Sequence, residues 1–256
     1  MGGVIIRLSY YGFKDMKMVS INRFFGLAMV LALANVQPAL ASTSVGASRI
    51  IFNADESSKS VDINNTSTAQ PYLIKIDISS DISGKAVGTP FVVTPALARI
   101  EPGTTNKVRI LKASGSLPND RESVFYFNSM AIPTSKVGNA QSSTSLDGAL
   151  QIATGNTVKL FYRPGNLGMT QKEAMGKLQF TSDGKGTKVS NPTPYYISIS
   201  KLIIAGTSVK LDVMNGSSMI APFGSHVYSV NAARGNVVWN AINDFGAMER
   251  FDGAIN

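Results

Sequence analysis

The sequence predicts an all-β protein built of two β-sandwich domains. Three observations carry that expectation. Apolar and polar residues alternate with a period of two along most of the chain, turn signals containing Gly, Pro, Asn or Asp separate the runs, and nothing beyond residue 41 keeps a helical period over three turns. About fifteen short strands are too many for one immunoglobulin-like sandwich and suit two. A hydrophobic content of 44% is enough to build the cores.

Residues 1–41 stand apart from this pattern. Arg23, with Lys14 and Lys17 upstream, precedes the apolar run Phe24–Ala34, and Ala39-Leu40-Ala41 is a small-x-small cleavage site. The run is shorter than the ~20 residues a membrane-spanning helix needs. Residues 1–41 therefore read as a signal peptide with an upstream extension, removed before folding. The rest is mildly basic, with its Lys and Arg scattered rather than gathered into a stripe, which argues against nucleic acid as a partner.

The strands follow in order. Val61 and Ile63 alternate in SVDINN, and Tyr72, Ile74, Ile76 and Ile78 alternate with Leu73, Lys75, Asp77 and Ser79. Val108 and Ile110, the run Val124–Phe127, the pair Leu150 and Ile152, and the dense stretch Val158–Tyr162 complete the first half. Arg163-Pro164-Gly165-Asn166 stops a strand and opens a connection, so the domains are expected at 42–164 and 165–256. Gln171–Lys177 could form one helical turn, and strands are expected at Lys177–Thr181, Tyr195–Ile204, Val209–Val213, His226–Val230 and Val237–Ile242. Thr134–Gly148, rich in Ser, Gly, Asn and Thr, reads as a mobile loop.

Composition excludes much chemistry. With no Cys there is no disulfide, thiolate metal site or Cys nucleophile, and a single His, His226, cannot build a multi-His centre. No phosphate-binding glycine loop or nucleophile elbow is present, so no cofactor and no metal are expected. Asp120 and Glu122 flank Arg121 and read as a salt-linked turn rather than a catalytic pair. Two cations are oddly placed: Arg49 in SRIIF and Lys159 in VKLFYRP sit among apolar strand residues, a costly position unless an anion meets them or the charge reaches solvent.

These segments resemble the periplasmic chaperones of the chaperone–usher pilus pathway. SRIIFNADE (48–56), TPALARIEPG (94–103), KVRI (107–110), LPNDRESVFYFN (117–128) with Ile132-Pro133, KLFYRP (159–164), NPTPYY (191–196) and INDFG (242–246) match family motifs in family order. The resemblance implies two immunoglobulin-like sandwiches set at an angle with a cleft between them. It implies a non-enzymatic periplasmic protein that uses no ATP. Such a protein forms a 1:1 complex with pilus subunits by donor-strand complementation and delivers them to an outer-membrane usher.

Residue by residue, the resemblance assigns Arg49 and Lys159 to the grip on the subunit's C-terminal carboxylate. Leu150, Ile152 and Thr154 fall on the donor ridge, and Arg109, Glu122 and Asp244 on an interdomain ion network. Thr154 is smaller and more polar than the family pattern, and Gly155 follows it. The absence of Cys favours the short-loop class of these chaperones although 134–148 is long. An exposed ridge also makes self-association of the free protein an expectation. Two other readings compete: a secreted immunoglobulin-like adhesive or structural protein that recognises its ligand through 134–148, and a hydrolase using Ser and His226.

Overall fold

The structure, a computed structural model, describes residues 42–86, 88–113, 115–134 and 152–256. The expected leader, Leu150, and all of the 134–148 loop but Thr134 lie outside the described residues.

The first half folds into nine strands: β1 (Thr43–Val45), β2 (Arg49–Asn53), β3 (Ser58–Asn65), β4 (Tyr72–Ser79), β5 (Phe91–Thr94), β6 (Leu97–Ile100), β7 (Thr105–Lys112), β8 (Ser123–Pro133) and β9 (Thr154–Arg163). They form one sheet in the order β1-β3-β7-β5 and another in the order β2-β9-β8-β4-β6. Period-two alternation turns Val61, Ile63, Val108 and Ile110 from one sheet onto Phe52, Ile74, Ile76, Phe127 and Leu160 from the other. Phe91 knits the layers together, with ring centroids 5.1 Å from both Phe52 and Phe125.

The second half opens with α1 (Gln171–Met175), the helical turn expected there, closed by a capping box between Thr170 and Glu173. Strands β10 (Gln179–Ser182), β11 (Thr187–Ser190), β12 (Ile197–Ile204), β13 (Thr207–Ser208), β14 (Met219–Ile220), β15 (Ser225–Tyr228), β16 (Gly235–Ile242) and β17 (Met248–Ile255) follow. They pair in the order β13-β12-β16-β17-β10-β11-β15, with β14 on β12. Trp239 centres this core: Phe180 and Phe251 lie 5.0 and 5.7 Å away, and its indole N–H donates to Met175 O at 3.0 Å. The two cores share no residue.

Two expectations about strands change. The run Val124–Phe127 is only the first part of the eleven-residue β8, which continues to Pro133. Val209–Val213 is not a strand, because side chains there satisfy the backbone locally: Asp212 Oδ1 accepts from Met214 N–H at 2.7 Å, and Asn215 Oδ1 accepts from Ser217 N–H at 3.0 Å.

Phe127 is fully buried in β8 at the centre of the first core. Phe127→Ala should therefore lower stability by about 3–5 kcal/mol, read from urea midpoints, whereas an unchanged midpoint would place the ring outside the load of that core.

Candidate functional site

The site is built on β9 and its alternation. Val158, Leu160 and Tyr162 point into the first core. Lys159, Phe161 and Arg163 take the opposite face, where Phe161 is buried against Tyr196 of the second sandwich, the rings 5.9 Å apart. Strand β2 runs parallel to β9 in a register that sets Arg49 opposite Lys159 and Asn53 opposite Arg163. More than a hundred residues apart in sequence, Arg49 and Lys159 thus become neighbours on one face.

Arg49 spans the two sandwiches. Its Nη1 donates to Ile242 O at 2.8 Å, its guanidinium lies 5.9 Å from the Phe161 ring centroid, and its Nε is buried without a partner. Burial lowers the Arg49 pKa, with Asp244 and Glu122 opposing. Lys159 is half-buried, and among the described residues no hydrogen bond or ion pair satisfies its ammonium. Burial, and then the like charge of Arg49, bring its pKa down to about 8. Two cations therefore stand side by side with unused donors and no anion between them.

The ion network next to them differs from the expected one. Arg109 is not part of it: the residue sits on β7, in the other sheet of the first sandwich, with its side chain exposed. The guanidinium between Glu122 and Asp244 belongs to Arg163, which carries the same parity along β9 as Lys159 and Phe161. Arg163 Nε donates to Glu122 at 2.8 Å, while Nη1 and Nη2 grip both oxygens of Asp244 at 2.6 and 2.8 Å. Glu122 is 3% exposed and also accepts the Tyr196 N–H at 2.8 Å. Burial pushes the Glu122 carboxyl up, further than Arg163 and the Tyr196 amide pull it back. The salt-linked turn is real for Asp120 and Arg121, at 2.7 Å, but Glu122 leaves it for Arg163.

The β16–β17 turn that carries Asp244 is braced from within and from the first sandwich. Asn243 Oδ1 accepts from Phe245 N–H and Ala247 N–H at 3.1 and 2.9 Å. Gly246, at φ +84°, lies so close to Ser48 that a Cβ there would collide with its hydroxyl. The turn is thereby pressed against the residue before Arg49.

One side of β9 is open. Strand β8 pairs with Thr154–Tyr162, but β2 covers only Lys159–Arg163, so among the described residues nothing pairs with the other side of Thr154–Val158. Arg49 and Lys159 mark the point where that free edge begins. Ile152, 64% exposed, and Thr154, also exposed, share the parity of Val158 and Leu160 and continue their row beyond the core. Elsewhere, the His226 ring on β15 lies 4.6 Å from that of Tyr228, tilted by 56°, and its imidazole makes no hydrogen bond among the described residues. No group of three or more potential metal ligands occurs among the described residues.

Lys159 gives the free protein a pH signature. The unfolded chain keeps that proton up to about 10.5 and the folded chain only to about 8, so stability should rise as pH climbs through that window, the penalty being fully present below it. Lys159→Met should raise stability at pH 7 and remove this part of the pH dependence, measured as the difference in urea midpoints between variant and parent at pH 7 and pH 10. A constant difference would refute an unpaired, buried ammonium.

Comparison with known proteins bears on the same residues. The model of the pili and flagellar-assembly chaperone PapD N-terminal domain matches residues 42–168, and that of the pili assembly chaperone PapD C-terminal domain matches residues 173–252. The probable fimbrial chaperone protein ElfD of Escherichia coli K12 is 34% identical over 208 residues, 79% of this chain and 82% of that one. The chaperone protein FimC of the same strain is 32% identical over 225 residues, 87% and 88% of the two chains. Among solved structures, the SafB chaperone complex with the Salmonella enterica SafA pilin superposes with a TM-score of 0.70 at 25% identity, covering 85% of this chain and 98% of that one. With both domains matched in order and the two-sandwich fold shared, the chain belongs to the PapD family of pilus-assembly chaperones.

Proposed function

We propose that this periplasmic, non-enzymatic pilus-subunit chaperone holds its client by lending it the free edge of β9, with Arg49 and Lys159 gripping the client's terminal carboxylate. The observation that carries the reading is the coincidence of the two. The edge left open by β2 starts at the very residues whose cationic donors lack an anion.

A client strand lying along Thr154–Val158 and running parallel to β9 would end just ahead of β2, its carboxylate between the two side chains. There it relieves the like-charge repulsion, accepts from the free Arg49 Nε and the Lys159 ammonium, and fixes the register of the pairing. Backbone pairing supplies affinity that does not depend on the client's side chains, and alternate side chains supply selectivity. Ile152 and Thr154 are the described ridge residues of this reading, with Leu150 as its continuation. Arg163, Glu122 and Asp244 orient the second sandwich over the anchor, and the loaded complex passes to an outer-membrane usher.

Periplasmic co-expression with a pilin-type subunit tests the reading. Arg49→Ala and Lys159→Ala should each lose at least tenfold in recovered 1:1 complex, equivalent to more than about 1.4 kcal/mol, while the isolated variants keep the circular dichroism of the parent. Ile152→Asp should lose complex without touching the anchor. Full recovery of complex in both cation variants would remove the anchor assignment, and full recovery with Ile152→Asp would remove the donor edge.

A further inference from the structure

The loop bearing Glu122 touches the second sandwich at one more place, through a residue in an unfavourable backbone conformation. Phe223 has φ +57°, the left-handed region that residues with a Cβ avoid. Gly224 follows immediately, yet the left-handed position is occupied by Phe. Its amide donates to Thr193 O at 3.2 Å. Its ring, about half exposed, lies beneath the Arg121 guanidinium, 4.8 Å from the centroid. Arg121 is itself held by both oxygens of Asp120, at 3.0 and 2.7 Å. Alongside, Glu122 N–H donates to Pro194 O at 2.9 Å and Glu122 Oε2 accepts from Tyr196 N–H at 2.8 Å.

Two consecutive residues of the first sandwich thus engage the second, Arg121 through Phe223 and Glu122 through Pro194 and Tyr196, with Asp120 holding Arg121 from its own side. The segment is firm because buried Asn191 donates to Tyr195 O at 2.7 Å and to Ala221 O at 3.0 Å, tying the two loops together. A strained backbone persists where its surroundings over-determine it. The Thr193 hydrogen bond would be available to a glycine as well, whereas the stack under Arg121 needs the Phe223 side chain.

We propose that Arg121 and Phe223 form a clasp that fixes the angle between the two sandwiches. They are positioning residues. Arg49 reaches across to Ile242 O and Arg163 to Asp244, so the geometry of both cations depends on where the second sandwich sits. The clasp belongs to the free protein and stands or falls independently of the donor-strand reading.

The absence of Cys makes the test clean. Ser60→Cys and Thr181→Cys are exposed, one in each sandwich, and accept spin labels on the otherwise thiol-free protein. Pulsed electron–electron double resonance on the labelled protein without client should give one narrow distance. With Arg121→Ala or Phe223→Ala the distribution should become roughly twofold wider, as expected for domains released from a fixed interface, and the double variant should be no wider than either single one. Phe223→Gly separates positioning from stability: it relieves the backbone strain but removes the ring, so its melting temperature should hold or rise while the distribution widens. Arg121→Lys, which keeps a cation over the ring, should recover part of the narrow distribution. Distributions that stay narrow in both Arg121→Ala and Phe223→Gly overturn the proposal.

Discussion

One strand with two different faces organises this molecule. In the distal half of β9, Val158, Leu160 and Tyr162 complete the core of the first sandwich, and the residues between and after them, Lys159, Phe161 and Arg163, meet the second sandwich or the space next to it. Because β2 pairs with the distal half of the strand, Arg49 joins that face and the proximal half keeps an unpaired edge. A shift of one residue along β9 would bury the cations and expose the core row. The apolar core thus fixes the placement of charge.

The three cations on this face have unequal surroundings. Arg163 is saturated, with a fork to Asp244 and a third bond to Glu122. Leaving Glu122 without it would strand a carboxylate in the interior, a change that costs about 3–5 kcal/mol. Arg49 is half satisfied, by a carbonyl rather than a carboxylate, and Lys159 is unsatisfied. On the proposed reading this gradient separates architecture from recognition: the saturated cation holds the sandwiches together, and the unsatisfied ones would meet the client's anion.

Much of this was legible in the sequence because it is local. Alternation along Tyr72–Ser79 and Val158–Tyr162 predicted strands, and a cation within each of two apolar runs flagged Arg49 and Lys159. What joins them was legible only through the family resemblance, since parallel pairing between segments a hundred residues apart leaves no local trace. Arg163 was read only as the end of a strand before Pro164, although its parity with Lys159 and Phe161 pointed to the same face. Arg109 looked equivalent by type and motif, and only the assignment of β7 to the other sheet separates it from the network. Val209–Val213 had strand composition, but Asp212 and Asn215 drew the backbone into turns. The left-handed Phe223 has no sequence signal at all, because nothing marks an aromatic residue as the one that takes a glycine's conformation.

The depressed basicity of Lys159 also has a chemical side. An amine that sheds its proton near pH 8 presents far more free base under mildly alkaline conditions than a lysine in water, and it is the free base that attacks electrophiles. Small acylating or carbamoylating reagents should therefore find in this side chain a nucleophile richer in free base than a lysine in water, in a protein with no thiol to compete for them.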